Sequence, residues 1–96
     1  MTRIYEKIGE PAVLEGLAEE CSELAHAALK LARYLRDENP TPVREEDARK
    51  SFLEEVADVT LCLDVWLLSH DYGCRDIIYE TMQEKRERWE TRLQVR

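Results

Sequence analysis

Apolar residues recur at intervals of three and four along most of this chain, which holds only three glycines and three prolines in 96 residues. This spacing is typical of amphipathic helices, and the scarcity of glycine and proline favours a few long helices over many turns. We therefore predict an all-α fold. It is a helical bundle of three main helices plus a short N-terminal segment, in a single domain that spans residues 1–96.

The helix boundaries follow from local signals. Pro11 suits a first turn, and Thr41 followed by Pro42 offers a capping hydroxyl and then a first-turn proline. Asp37 to Thr41 is predicted as a loop. The predicted helices run from about Pro11 to Arg36, from Thr41–Pro42 to about His70, and from about Arg75 to Leu93.

Charge and cysteine content exclude several classes of protein. The formal net charge is −7, from 14 basic and 21 acidic residues, and an acidic surface repels nucleic acid. The three cysteines form no CxxC pair, which favours a reducing cytoplasm. Met1 to Glu10 contains no apolar run, so we expect no secretory signal. The longest apolar run, Val56 to Leu68, is too short for a membrane span and contains Asp58 and Asp64.

The first long helix carries three glutamates within five residues: Glu19, Glu20 and Glu23. If Cys21 marks the centre of the apolar stripe, Glu19, Glu23 and Lys30 lie almost opposite it and Glu20 lies nearer its edge. On its own, such a group is most often a solvated helix face.

The second long helix changes that interpretation. Glu55 and Asp58 are three residues apart and share one face, yet apolar residues surround the helix on nearly every side from Val56 to Leu68, as in a buried central helix. Carboxylates there are costly unless they are paired or bound to a cation. One alternative is therefore a salt-bridged or inter-subunit acid pair; the other is a metal site.

Packed antiparallel, the two helices can bring four carboxylates together. Such oxygen ligands suit Mg²⁺ or Mn²⁺, whereas no Cys/His set has the spacing of a zinc site. His26 and His70 are predicted to be solitary surface residues, and Trp66 and Trp89 to be core residues.

The third helix adds one positive charge in an unusual position. Its apolar stripe consists of Ile78, Met82, Trp89 and Leu93. Lys85 lies on this stripe, so it either extends along the apolar surface to water or points into the acidic site to meet a phosphate. Arg88, Arg86 and Lys30 are weaker candidates for phosphate binding.

The acidic residues resemble a known signature. The run Glu19–Glu23 (Glu-Glu-Cys-Ser-Glu) followed by Glu55–Asp58 (Glu-Val-Ala-Asp) is similar to the EExxE…ExxD pattern of the all-α nucleoside triphosphate pyrophosphohydrolases. The sequence around these acids looks most like that of the MazG-like branch, over Ala18 to Leu24 and Leu53 to Val59. The likeness covers roughly Leu14 to Leu93.

The resemblance implies magnesium-dependent hydrolysis, with manganese as a second option, of a nucleoside triphosphate to the monophosphate and pyrophosphate. A deoxynucleotide or non-canonical nucleotide is the expected substrate. Carried over by position, the metal ligands are Glu20, Glu23, Glu55 and Asp58. Glu19 is then an outer acid or a water-orienting base, and Glu19 or Glu20 accepts the proton of the attacking water.

The resemblance also implies that Lys85 faces the phosphates, with Arg88 as a weaker match. It further implies a homodimer or homotetramer in which subunits complete a four-helix-bundle core. Two other functions remain open. One is a non-catalytic helical dimerisation or regulatory module, and the other is a phosphoribosyl-ATP pyrophosphohydrolase.

Overall fold

The computed structural model describes residues 3–38 and 44–94, and the regular structure in these ranges is entirely α-helical. The all-α prediction is therefore confirmed. The helices are α1 (Arg3–Ile8), α2 (Glu10–Leu35), α3 (Glu45–Leu68) and α4 (Tyr72–Leu93). Among them, none is both long and apolar enough to cross a membrane.

The predicted short N-terminal segment contains the helix α1. Gly9 separates it from α2 with a φ of 85°, which glycine adopts without steric cost. The Gly9 amide donates to the Tyr5 carbonyl at 2.8 Å. Pro11 then lies in the first turn of α2, where its missing amide hydrogen costs no helical hydrogen bond.

The long helices lie close to their predicted positions. α2 begins one residue before Pro11 and ends one residue before Arg36. α3 ends at Leu68, two residues short of the predicted end, while α4 begins three residues earlier than predicted. The predicted Thr41–Pro42 start of α3 lies outside the described residues.

Helices α2 and α3 form an antiparallel hairpin that contains the buried core, which consists of Val13, Leu31, Ala48, Val59 and Val65. The packed face of α2 follows Val13, Leu17, Glu20, Leu24 and Leu31, all buried or half-buried. The prediction that Cys21 marks the centre of the buried stripe is wrong, because Cys21 is exposed. The apolar residues of α2 cover two adjoining faces, and only one of them packs on α3.

The two sides of this hairpin differ in polarity. In an antiparallel pair, positions that follow the packed face by one residue on each helix lie on the same side, and positions that precede it lie on the other. Leu14, Ala25, Leu53 and Leu63 follow it and are exposed. We call the side defined by these four residues the apolar side. The opposite side carries Glu23, Lys30, Ser51 and Asp58, and we call it the polar side.

Helix α4 makes no extensive contact with the other described helices. The radius of gyration is 17.0 Å, against about 12.5 Å for a compact domain of this length. The predicted core position of Trp89 is wrong for the single chain, since 63% of that residue is exposed. Trp66, on α3, is half-buried.

Candidate metal centre

Four carboxylates from α2 and α3 converge on the hairpin. One oxygen from each of Glu20, Glu23, Glu55 and Asp58 lies within 4.8 Å of the other three. Glu20 and Glu23 on α2 are three residues apart, as are Glu55 and Asp58 on α3, so the two acids of each helix share one face. The antiparallel register then places the two pairs opposite each other. We call these four residues the acidic cluster.

The acidic cluster is only partly solvated. The Oε2 atoms of Glu20 and Glu55 are buried and have no hydrogen-bond partner. Burial, followed by the negative charges of Glu23 and Asp58, raises the pKa of Glu20 and likewise that of Glu55. Glu55 also contributes to the raised pKa of Glu20. Desolvated like charges are unfavourable without a counterion.

No lysine, arginine or histidine of the described ranges forms an ion pair with the acidic cluster. The alternative of an acid pair neutralised by a salt bridge within the described part of the chain is therefore not observed. Within residues 3–38 and 44–94, the cluster thus consists of four carboxylates without an ion-paired cation.

These carboxylates fit a hard divalent cation. Oxygens that share one Mg²⁺ lie at most about 4.2 Å apart, because each Mg–O bond is about 2.1 Å. A contraction of less than 1 Å from the present 4.8 Å separation would satisfy that limit. Two buried oxygens without partners are the atoms that such a cation would satisfy. Oxygen ligands of this kind favour Mg²⁺ or Mn²⁺.

Cys62 lies beside the cluster but does not change its ligand chemistry. Burial, followed by the charges of Glu20 and Asp58, raises the pKa of the Cys62 thiol. A protonated thiol is a poor metal ligand, since the thiolate is the binding form. The candidate site therefore consists of oxygen ligands.

The other residues predicted for the site are not part of the acidic cluster, and only some of them lie near it. Glu19 is exposed on α2 and is not one of the four converging acids. Lys30 lines a cavity of about 310 Å³ together with Glu23 and Glu55. Lys85 and Arg88 border an open groove whose lining residues all belong to α4. That groove is the surface of one helix, so the single chain does not bring Lys85 and Arg88 to the acidic cluster.

A second group of polar residues lies where the start of α2 meets the end of α3. The sequence analysis did not predict this group. The Tyr5 hydroxyl donates to Glu10 Oε2 at 2.8 Å, and His70 Nε2 lies 2.9 Å from the same oxygen. His70 Nδ1 lies 2.7 Å from the Trp66 carbonyl oxygen, and its ring stacks on Trp66 with centroids 3.8 Å apart. We call Tyr5, Glu10, Trp66 and His70 the corner cluster.

The prediction that His70 is a solitary surface residue is wrong, because the corner cluster holds it half-buried. Its partner Glu10 lies 60 residues away in sequence, and no local pattern indicates such a contact. His26 is exposed, as predicted, although it borders the same cavity as Lys30.

Comparisons with known proteins add no relative. Neither the protein families, nor the curated proteins, nor the solved structures that were searched contain a match to this chain.

Proposed function

We propose that this protein is a divalent-cation-dependent nucleoside triphosphate pyrophosphohydrolase of the MazG-like type. The observation that carries the proposal is the convergence of four carboxylates, two of them with buried oxygens that have no protein partner. A surface acidic patch would have its oxygens in water. This arrangement fits a site whose counterion arrives with, or ahead of, a phosphate ligand.

In this proposal Glu20, Glu23, Glu55 and Asp58 hold Mg²⁺ or Mn²⁺. When bound, the cation supplies positive charge for the phosphates and a water of lowered pKa. Glu19, exposed and next to Glu20 in sequence, accepts the proton of the attacking water. Glu20 is the alternative acceptor.

We also infer that the acting form is a homodimer, or a homotetramer built from such dimers. The accessible surface of the chain is 7943 Å², about 2,200 Å² more than a compact monomer of this mass exposes. An obligate dimer buries about 1,000–2,500 Å² on each subunit. The apolar side of the hairpin and the uncovered stripe of α4 are the surfaces that such an assembly would cover.

This assembly gives α4 a function. Within one chain, Lys85 and Arg88 do not meet the acidic cluster. We propose that α4 packs on a neighbouring subunit and brings Lys85, and secondarily Arg88, to the phosphates of the substrate. The three free thiols are consistent with a protein that acts in the cytoplasm.

The test is pyrophosphate release from a panel of canonical, deoxy and modified nucleoside triphosphates, with Mg²⁺ and with a chelator. The proposal predicts release that requires the cation and that falls at least about 100-fold in Glu23→Gln, because even outer-shell partners of metal ligands contribute 10- to 100-fold. Glu54→Gln, the same change at a glutamate outside the acidic cluster, serves as the control.

Two outcomes would redirect the proposal. A folded protein that releases pyrophosphate from no member of the panel, and not from phosphoribosyl-ATP, would indicate a non-catalytic dimerisation or regulatory module. Turnover of phosphoribosyl-ATP alone would assign the same chemistry to the other substrate.

A further inference from the structure

A cavity of about 310 Å³ opens on the polar side of the hairpin, next to the acidic cluster. Glu23 and Glu55 belong both to the cluster and to the wall of this cavity. A ligand in the cavity would therefore contact the same carboxylates that hold the cation. The volume lies at the lower end of the range for small-molecule sites.

The end of the cavity away from the acidic cluster is lined by Lys30 and by Asp47. Lys30 is the only lysine or arginine among its described lining residues. It forms no ion pair with any acid of the described ranges. Seven residues of α2 separate it from Glu23, a rise of about 10 Å. An unpaired cation thus lies within side-chain reach of the metal ligands, along one groove.

The remaining wall is poorly suited to a nucleobase. Ala27 and Ala48 are the apolar residues of the lining, and no phenylalanine, tyrosine or tryptophan of the described residues belongs to it, whereas sites for ring-shaped ligands are usually lined by apolar and aromatic side chains. Ser51 and His26 offer further polar groups. Asp47 carries the opposing charge, so an anion is favoured only where Lys30 and a cluster-bound cation act together.

We propose that this cavity takes the phosphate tail of the substrate, with the Lys30 ammonium on the terminal phosphate. This assignment rests on the proposed function and adds a direction to it. The phosphate chain runs along α2 from Glu23 toward Lys30, and the nucleoside lies on the other side of the acidic cluster. Pyrophosphate, as the product that contains the terminal phosphate, leaves from the Lys30 end.

The experiment measures binding of inorganic pyrophosphate and of a nucleoside monophosphate product by calorimetry, both in Mg²⁺. Lys30→Ala weakens pyrophosphate binding by about 10-fold or more, the usual range for a hydrogen bond to a charged group. It leaves monophosphate binding and binding of Mg²⁺ alone unchanged. Lys30→Arg restores most of the pyrophosphate affinity. Lys50→Ala, a lysine of α3 outside this cavity, binds pyrophosphate like the wild type.

Equal pyrophosphate affinity in Lys30→Ala and in the wild type would overturn the assignment. Weaker binding of the monophosphate instead of pyrophosphate would also overturn it and would place the nucleoside in this cavity. Both results leave the proposed function intact if the wild type still hydrolyses a triphosphate. A wild type that binds no Mg²⁺ and releases no pyrophosphate refutes the two proposals together.

Discussion

At the scale of single residues, the four carboxylates of the acidic cluster destabilise the folded chain, yet they are placed where they could bind a cation. Glu20 and Glu55 each place an oxygen out of water without a hydrogen bond, and neighbouring carboxylates add repulsion. A stable hairpin needs none of this, because an apolar or amide side chain would pack there at lower cost. Local features that oppose stability are typical of functional sites.

The cost can be measured with Glu55→Gln. Removing one of four mutually repelling charges should raise Tm in chelator near neutral pH, because the amide carries no charge to desolvate. Mg²⁺ should raise Tm of the wild type by binding the folded state but should have little effect on the variant. Thermal unfolding followed by circular dichroism checks both. A variant less stable than the wild type in chelator would show that the carboxylate is stabilising.

At the scale of helices, the hairpin has polar contacts at one end in addition to its apolar core. The corner cluster joins α1, the start of α2 and the end of α3. The hydrogen bond from Tyr5, then the one from His70, hold the pKa of Glu10 below the ordinary value of 4.5. The ionised carboxylate is thus favoured in the folded state.

This contribution has a defined pH dependence. Because the pKa of Glu10 is lowered on folding, its stabilisation is present above about pH 4.5 and is lost as the pH falls through the lowered value. We expect Glu10→Gln to be less stable than the wild type in urea at pH 7. The difference should shrink toward pH 3.

The acidic cluster has the opposite pH dependence, since acid relieves its repulsion. Only the difference between the wild type and Glu10→Gln therefore isolates Glu10. A difference that stays constant from pH 7 to pH 3 would mean that the charge of Glu10 contributes nothing.

Much of the helical structure was predictable, because the spacing of apolar residues locates α2, α3 and α4 to within a few residues. The convergence of Glu20 and Glu23 with Glu55 and Asp58 was also predictable, because i, i+3 acids on two long antiparallel helices have few alternative placements. The rotation of α2 about its own axis was not predictable. Its alanines, leucines and Cys21 form two adjoining apolar faces, and periodicity alone does not show which one packs on α3.

Contacts between residues far apart in the sequence were equally unpredictable from the sequence pattern. The contact of Glu10 with His70 depends on the register of the hairpin, which sets residues 60 positions apart side by side. The separation of α4 from the hairpin also had no signal, because its apolar stripe looks the same whether it packs on its own chain or on another. The cavity beside Lys30 lies between α2 and α3, where the small side chains of Ala27 and Ala48 belong to its lining.

At the scale of the whole molecule, the single chain leaves more apolar surface uncovered than a stable monomer usually does. The apolar side of the hairpin and the stripe of α4 are both exposed. The acidic cluster lies toward the other, polar side of the hairpin. A second copy on the apolar side would therefore leave the cluster open to a ligand.

The assembly is testable with two matched leucines of α3. Leu53 is 63% exposed and belongs to the apolar side, whereas Leu61 is 57% exposed on the back of the helix. We expect Leu53→Glu to weaken self-association at least about 10-fold, since a buried unpaired charge costs more than 1.4 kcal/mol. Leu61→Glu should associate like the wild type. Sedimentation equilibrium measures both, and a monomeric wild type would contradict the inference.

The proposed function depends most directly on whether the acidic cluster binds a divalent cation. Mn²⁺ binding followed by electron paramagnetic resonance, with Mg²⁺ as competitor, measures this without any assumption about the substrate. We expect Mn²⁺ binding that Mg²⁺ displaces, that is lost in Asp58→Asn and that persists in Glu54→Gln. A folded wild type that binds no Mn²⁺ at millimolar concentration would contradict the proposed metal site. An Asp58→Asn variant that binds Mn²⁺ as well as the wild type would contradict it too.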